Sequence, residues 1–335
     1  MVWLSSFGSI LFVLLSLMFS LSMIFTLSLF WVWVMLDLST IFLIPFLVCQ
    51  GSSSGRWYKG VAMYFVVQFM GSALILYSVM VFWISSLEGY GEWALLIGFI
   101  LKLGLFPMHF WVPRVFSNLH YGGIFIVGAA QKVFMICAVP VMFESSVCSL
   151  VVYISALTSA IYGPIAMFNS NDVKTFLAYS SVNNTGLMVM CNLMSITLLS
   201  IYAFVYVISM MFLVLIFSSY NGESILGVGT SLPEFYKASF FSISLSFSGF
   251  PPFTDFCLKF LVLMSCVEMN MWLGACAVLM SGFINLLVWI WLLIINTRTL
   301  NFINKNFQAS LYHNLLNVMC ILWNFCGGMA LMLMY

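Results

Sequence analysis

Five ionisable residues lie inside long apolar stretches of the sequence, where their side chains could carry protons. They are Asp37, Lys102, Lys132, Asp255 and Lys259. A charge at the centre of a membrane-spanning helix costs about 2.5–3.5 kcal/mol, so such residues indicate an ion or proton pathway by default. Burial disfavours the charged form of lysine and a nearby carboxylate favours it, so a lysine subject to both can load and release a proton. Buried ion pairs that only hold helices together are the alternative interpretation.

Two of these lysines lie near motifs that should break a helix. The motifs are Gly104-Leu-Phe-Pro107, beside Lys102, and Gly249-Phe-Pro-Pro252, beside Lys259, and they begin 145 residues apart. Proline removes a backbone donor and clashes with the preceding turn. The predicted break positions are Pro107, Pro251 and Pro252. Paired interruptions in corresponding spans indicate a transporter built from inverted repeats, whereas a simple proline kink is the alternative.

The composition excludes a water-soluble protein. Of 335 residues, 64% are hydrophobic and 6% are charged, and the net charge is +1. Soluble globular proteins contain about 25% charged residues. The low net charge excludes a nucleic-acid partner, and the apolar stretches lack the alternating pattern of a membrane β-barrel. The sequence therefore predicts an all-α, polytopic membrane helical bundle.

Charges and turn residues divide the chain into about eleven apolar spans of roughly 20 residues. The predicted spans are approximately 6–26, 28–48, 60–83, 93–112, 122–143, 147–168, two within 175–222 that turn near 191–195, 238–264, 271–295 and 312–334. We expect a single transmembrane domain, 1–335, made of two antiporter-like five-span repeats, 1–145 and 146–297, and a C-terminal span within 298–335. Each broken helix is the fourth span of its repeat.

Basic residues of the predicted loops fall on one side of the membrane. Seven lie on the side of the N-terminus: Arg56, Lys59, Arg114, Lys174, Lys237, Arg298 and Lys305. The other side receives no basic residue, only Glu88, Glu92, Glu144 and Glu268. This asymmetry predicts an N-terminus inside and a C-terminus outside. Glu88 and Glu92 flank Gly-Tyr-Gly and are expected in a solvated loop.

The sequence shows no metal or cofactor pattern. Its nine cysteines form no CxxC pair and have no partners at zinc spacing. We interpret them as packing residues without disulfides. We expect no metal and no bound NADH, flavin or iron–sulfur cluster in this chain.

Several stretches resemble the NADH dehydrogenase subunit 2 family, the antiporter-like membrane subunits of mitochondrial complex I. The matching stretches are Trp31 to Asp37, Lys102 to Pro113, Gln131-Lys132, Leu177 to Ser181, and Gly249 to Phe253 continuing to Lys259. The resemblance covers most of the chain and weakens beyond about residue 270. Animal members of the family have eleven helices, which agrees with the predicted number of spans.

The resemblance implies proton translocation coupled to ubiquinone reduction elsewhere in complex I, the NADH dehydrogenase of the respiratory chain. The family's key proton-pathway groups correspond to Asp37, Lys102, Lys132 and Lys259. His109 follows the first break and could be a further relay member. The implied location is the mitochondrial inner membrane, with the N-terminus in the matrix and the C-terminus in the intermembrane space. The implied partners are other membrane subunits of complex I, lipids, protons and water.

Three residues depart from the family pattern. Asp37 stands where glutamate is usual, which shortens the reach of the carboxylate. Asn184 stands where a histidine is common, and an amide cannot titrate. Asp255 stands where a small residue is usual, and it could pair with Lys259 one helical turn away.

Two other functions stay open from the sequence. A cation/proton antiporter subunit of related fold is the first, and a non-conducting scaffold is the second. The intramembrane lysines argue against a scaffold. Any oxidoreductase activity belongs to the assembly, because nothing in this chain binds a redox cofactor.

Overall fold

Long apolar helices make up the fold. The computed structural model describes residues 2–26, 28–50, 55–84, 88–138, 146–219, 224–228, 234–298 and 311–333. The helices are α1 Val2–Ser22, α2 Leu29–Cys49, α3 Arg56–Ile84, α4 Glu88–Leu103, α5 Trp111–Asn118, α6 Tyr121–Phe125, α7 Gln131–Cys137, α8 Ser146–Phe168, α9 Val173–Met194, α10 Ile196–Ser218, α11 Glu234–Ser248, α12 Thr254–Glu268, α13 Trp272–Arg298 and α14 Leu311–Leu333. No strand occurs within these ranges, so the predicted all-α fold is confirmed.

The helices follow the eleven predicted spans. The fourth and ninth spans are each divided, into α4 and α5 and into α11 and α12. The fifth span is α6 and α7, joined by a π-helix at Ile126–Ala130. The seventh and eighth spans meet at Ser195, inside the predicted turn.

Helix length and composition identify a multi-pass membrane protein. Among the described residues, seven helical stretches are long and apolar enough to cross a membrane: Gly8–Phe25, Leu29–Cys49, Trp57–Trp83, Gly89–Asn118, Val147–Phe168, Ile196–Ser218 and Trp272–Asn296. Tyr121–Cys137 and Asn317–Leu331 are shorter apolar helices. Helix α9 is less apolar because it carries a buried polar group, Ser180, Ser181, Asn183, Asn184 and Thr185. Large apolar side chains such as Leu273, 75% exposed, suit a lipid-facing surface.

The chain divides into two compact units. The first contains Met1–Ser159 and Asn184–Leu199, and the second contains Ala160–Asn183 and Ser200–Tyr335. This division reflects compactness and does not test the predicted repeats, which remain a prediction. Asp37, Lys102 and Lys132 belong to the first unit, and Asp255 and Lys259 belong to the second.

The two predicted helix breaks are present and have similar backbones. Gly104 and Gly249 follow the last turns of α4 and α11 with φ values of 71° and 78°. This left-handed conformation is readily adopted by glycine and rarely by other residues. A cis peptide bond precedes Pro107 in the first break and Pro252 in the second.

A side chain caps the last helical turn before each break. The indole Nε1 of Trp111 donates to the carbonyl of Leu101 at 2.9 Å. The amide Nδ2 of Asn285 donates to the carbonyl of Phe247 at 2.6 Å. Carbonyls at a helix C-terminus lack an intrahelical partner, so these bonds let each helix end at membrane depth.

The loop predicted at Glu88 and Glu92 is wrong, because α4 begins at Glu88. Negative charge near a helix N-terminus interacts favourably with the unsatisfied N–H groups and the helix dipole. Glu92 Oε2 also accepts a hydrogen bond from Cys148 Sγ at 3.5 Å. Glu144 and Lys305, which contributed to the charge asymmetry, lie outside the described residues.

Candidate functional site

Asp37 and Lys102 form an ion pair between α2 and α4. The Lys102 Nζ atom lies 3.1 Å from Asp37 Oδ1, and the side chains are 1% and 24% exposed, respectively. The proximity predicted from the sequence is therefore confirmed. Because Lys102 is almost fully buried, the carboxylate compensates part of the cost of holding an ammonium group there.

Helix α3, which is uncharged in its middle, positions both partners of this pair. Trp33 Nε1, on the helix of Asp37, donates to the Ser72 carbonyl at 3.0 Å. Gln68 Nε2 donates to the Lys102 carbonyl at 3.2 Å. A Cβ atom added at Gly71 would lie 2.6 Å from Lys102 Cγ, so this glycine leaves room for the lysine stem.

Neither Gln68 nor Gly71 was predicted from the sequence as a residue of the site. The signal that could have found Gln68 is a polar amide in an apolar stretch at membrane depth. Gly71 gives no comparable signal, because a glycine in an apolar helix has several structural explanations.

Lys102 and Lys132 line the same small cavity of about 20 Å³. The other polar side chains of its wall are Ser39, Thr40, Tyr64, Gln68 and Gln131. The Tyr64 hydroxyl donates a hydrogen bond to Gln131 Oε1 at 2.5 Å. A water molecule needs a cavity of about 10–15 Å³ and 2–4 polar partners, and this cavity provides both. The arrangement therefore leaves room for a water molecule in a cavity that both lysines line.

The π-helix directly precedes Gln131 and Lys132. Its five residues, Ile126–Ala130, take up an extra residue per turn and so change the face on which the following side chains lie. Lys132 is 4% exposed. Wide turns of this kind occur frequently at functional sites. This turn was not predicted from the sequence, because the apolar residues Ile126–Ala130 fit a regular α-helix equally well.

His109 lies beside the first break, on the short turn Met108–Phe110. The side chain is 1% exposed. Its ring centroid lies 5.6 Å from that of Phe106 and 4.2 Å from that of Phe110. His109 is not among the residues that line the cavity of Lys102 and Lys132, so its relay role stays a prediction.

Asp255 and Lys259 form a second buried ion pair, on α12. The Lys259 Nζ atom lies 2.6 Å from Asp255 Oδ2, and the side chains are 9% and 13% exposed, respectively. The pairing predicted from the four-residue spacing is therefore present. Lys259 also borders a groove of about 290 Å³ between α12 and α13, whose other described lining residues are apolar or small. Each compact unit thus contains one lysine–aspartate pair near a helix break.

Asn184 is buried, 3% exposed, on α9 in the first unit. Its amide can donate and accept hydrogen bonds but cannot carry a proton charge. The local difference from a histidine-containing relay therefore stays a prediction.

No group of three or more His, Cys, Asp or Glu side chains that could hold a metal occurs in the described part of the chain. All nine cysteines are free thiols. In the described residues, the polar cavity and the two ion pairs bring ionisable side chains together.

Comparisons with known proteins show the family of this chain. A family model described as NADH:quinone oxidoreductase/Mrp antiporter, TM, matches residues 26–285, which include all five intramembrane charges. The chain is 31% identical over 258 residues to NADH-ubiquinone oxidoreductase chain 2 of Strongylocentrotus purpuratus, covering 72% of this chain and 70% of that protein.

Two solved structures share the fold. A chain of respiratory complex I from Thermus thermophilus has a TM-score of 0.80 and 18% identity, covering 96% of this chain and 78% of that chain. A chain of the Mrp complex from Dietzia sp. DQ12-45-1b has a TM-score of 0.68 and 14% identity, covering 84% and 58%. The family match spans more than half of the chain, so the chain belongs to the NADH:quinone oxidoreductase/Mrp antiporter family of membrane proteins, together with its NADH-ubiquinone oxidoreductase chain 2 relatives.

Proposed function

We propose that this chain is a core membrane subunit of proton-pumping NADH:ubiquinone oxidoreductase, complex I, and contributes one of its proton pathways. The cavity shared by Lys102 and Lys132, with Asp37 at 3.1 Å from Lys102, is the observation that carries this proposal. A scaffold would gain nothing from two lysines at one water-sized cavity, because each buried charge is costly. The names of the sequence relatives support the assembly in which this pathway works.

The Asp37–Lys102 pair is the proposed loading point of the pathway. While the carboxylate is close, it stabilises the ammonium form of Lys102. When the carboxylate is drawn away, burial favours the neutral amine. Lys102 then donates a proton to a water in the cavity, and that water donates a proton to Lys132. Lys102 is left neutral and Lys132 becomes charged, so one proton has moved from Lys102 to Lys132 and the water is unchanged.

Asp255 and Lys259 form the proposed second station of the pathway. They repeat the ingredients of the first pair, a buried lysine and a carboxylate beside a helix break. Here both groups lie on one helix, and Asp255 is its second residue, so a change in the first turn after the break can alter their separation.

We also propose a location and partners for this chain. We place it in the mitochondrial inner membrane, among other membrane subunits and lipids, with protons and water in its pathway. NADH oxidation and ubiquinone reduction take place in other subunits, and this chain carries no cofactor. The apolar exposed side chains and the family relatives support this setting.

Substitutions at Asp37 test the proposed loading point. Asp37→Asn removes the charge that stabilises the Lys102 ammonium, and we expect proton pumping per NADH to fall severalfold. The cost in stability should stay near or below roughly 3 kcal/mol, the low end for breaking a buried pair, because the Asp37 side chain is 24% exposed. The measurement is NADH-driven acidification in vesicles, normalised to assembled complex.

Asp37→Glu is the matched control, because it keeps the charge and restores the carboxylate usual in the family. It should pump at close to the normal rate. Normal pumping by Asp37→Asn would contradict the proposed role of the pair.

The orientation of the chain is a separate prediction. The distribution of the lysines and arginines in the predicted loops supports an N-terminus in the matrix and Tyr335 in the intermembrane space. Protease treatment of mitoplasts and of inverted inner-membrane vesicles, with an epitope at each terminus, measures this directly. Loss of the C-terminal epitope in mitoplasts and of the N-terminal epitope in inverted vesicles is the expected result. Loss of both epitopes from one side would overturn the eleven-span orientation.

A cation/proton antiporter subunit is the second candidate, and the fold shared with a chain of the Mrp complex favours it. Such a subunit would exchange a cation such as Na⁺ for protons without NADH. Sodium-dependent proton movement that persists when NADH oxidation is blocked would favour this candidate over the first.

A further inference from the structure

Helix α14 runs along both halves of the second broken helix. Near the start of α11, Ser239 Oγ donates to Asn317 Oδ1 of α14 at 2.8 Å. Beyond the break, Cys257 Sγ of α12 donates to the Gly328 carbonyl at 3.3 Å. Asn317 and Gly328 are separated by 11 residues, or about 16 Å along a helix. One continuous helix therefore spans an interruption in its neighbour.

A polar seam joins α14 to α11. Its side chains are buried and consist of Ser239, Ser242, Asn317, Cys320 and Asn324. Ser242 Oγ and Cys320 Sγ are 3.9 Å apart, and Asn324 Nδ2 donates to Cys320 Sγ at 3.9 Å. Lipid is as apolar as a helix surface, so polar contacts and close packing, rather than hydrophobic burial, hold membrane helices together. The seam therefore fixes the position of α14 against α11.

Gly328 brings α14 into contact with the backbone of the break itself. A Cβ atom added at this glycine would overlap the Pro252 carbonyl oxygen and lie 3.0 Å from the Phe253 carbonyl carbon. These are backbone atoms, which cannot rotate away as a side chain can. At Gly327 an added Cβ would instead meet the Thr254 methyl group at 2.9 Å. Position 328 therefore excludes any side chain unless the break moves.

Movement of the break would reach the second ion pair. Asp255 and Lys259 lie in the first two turns of α12, which begins directly after the break. A Cβ atom added at Gly249 would lie 3.4 Å from Lys259 Nζ, so the ammonium packs against the backbone of the break. A displacement at Pro252 or Phe253 would change the distance between this ammonium and the backbone at Gly249.

We propose that α14 acts as a splint, a continuous helix that holds α11 and α12 in place on either side of the second break. In this role Gly328 is a positioning residue for Lys259. The family match ends at residue 285, before α14 begins at Leu311, so the role of this helix is inferred from its contacts alone. The use of proton pumping to test this proposal rests on the proposed function of Lys259.

Gly328→Ala in the assembled complex tests the splint. Alanine has a higher helix propensity than glycine, so a purely local effect would stabilise α14. We instead expect proton pumping per NADH to fall about threefold, well within the up to ~10²-fold cost of misplacing a group by about 1 Å. The pH profile of pumping should also shift, because the contact between the Lys259 ammonium and the backbone of the break at Gly249 changes.

Two glycines provide matched controls. Gly327→Ala meets side-chain atoms rather than backbone atoms, the Thr254 methyl carbon at 2.9 Å and Trp323 Cδ2 at 4.0 Å, and Gly8→Ala in α1 has no atom within 4 Å of the added Cβ. Gly8→Ala should retain the normal rate and the normal pH profile, and Gly327→Ala should lose less pumping than Gly328→Ala. Normal pumping by Gly328→Ala, or a loss with an unchanged pH profile, would overturn the splint.

Asn317→Leu tests the proposed role of α14 if the Gly328→Ala complex fails to assemble. It removes the acceptor of the Ser239 bond at the far end of the seam while adding little volume. A shifted pH profile in this variant supports the splint, and an unchanged profile refutes it. If Lys132→Met and the double variant Asp255→Leu/Lys259→Met pump normally as well, the proposed function fails; if they lose pumping while the Gly328 and Asn317 variants do not, only the splint fails.

Discussion

Replacing Lys132 by methionine is expected to reduce NADH-driven proton pumping about tenfold while complex I assembles at its normal level. A positioned proton-transfer group typically contributes roughly 10²–10⁴-fold. We expect a smaller loss here because water in the cavity can carry part of the proton flow. Methionine keeps much of the apolar stem of lysine and removes the cost of burying an ammonium group. Folding should therefore be little disturbed.

Pumping and assembly must be measured on the same preparations. Assembled complex is quantified on native gels, and proton movement per NADH oxidised is measured in inverted inner-membrane vesicles. Lys59→Met is the matched control, because Lys59 lies in an exposed position near the start of α3. A Lys132→Met complex that pumps normally, or one that does not assemble, would contradict the relay role of Lys132.

Much of the fold was predictable because membrane insertion leaves few alternatives. A span needs about 20 apolar residues, so the positions of charges and turn residues set the number of helices and most of their ends. The breaks at Gly104 and Gly249 were predictable because glycine and proline act locally on the backbone. Glu88 and Glu92 were misplaced because the same acidic residues suit both a solvated loop and a helix N-terminus.

The candidate site was predictable only in part. The pairing of Asp255 with Lys259 follows from spacing on one helix, and that of Asp37 with Lys102 follows from the cost of an isolated buried charge. The hydrogen bond from Tyr64 to Gln131 joins residues 67 positions apart. Such a contact depends on how α3 packs against α7, which local periodicity does not contain. The cavity between the lysines was for this reason not foreseen.

The second pair changes what a single substitution of Lys259 can show. From the sequence alone, Lys259→Met would be expected to assemble and to lose only pumping. The ion pair at 2.6 Å means that this variant leaves the Asp255 carboxylate buried without its partner. Asp255→Leu likewise leaves the Lys259 ammonium buried without its partner. Breaking a buried pair in this way costs roughly 3–5 kcal/mol, against a total stability of about 5–15 kcal/mol for a typical domain.

We therefore expect each single variant to lose most of the assembled complex and the double variant Asp255→Leu/Lys259→Met to recover it. Replacing both members of a buried pair by apolar residues of similar volume is often neutral or stabilising. The interaction energy from the double-mutant cycle should accordingly be at least ~1 kcal/mol, within the usual range for residues in contact. Met264→Leu, at a 39% exposed position of the same helix, is the control and should assemble normally.

Pumping by the recovered double variant separates a structural pair from a proton-transfer pair. A pair that only stabilises the helix break can be replaced by apolar residues without loss of function, so assembly and pumping would recover together. A pair that transfers protons cannot be replaced in this way, because methionine and leucine have no group that binds a proton. We expect a double variant that assembles normally and pumps poorly. Normal pumping by that variant would show that Lys259 stabilises the bundle and lies outside the proton pathway.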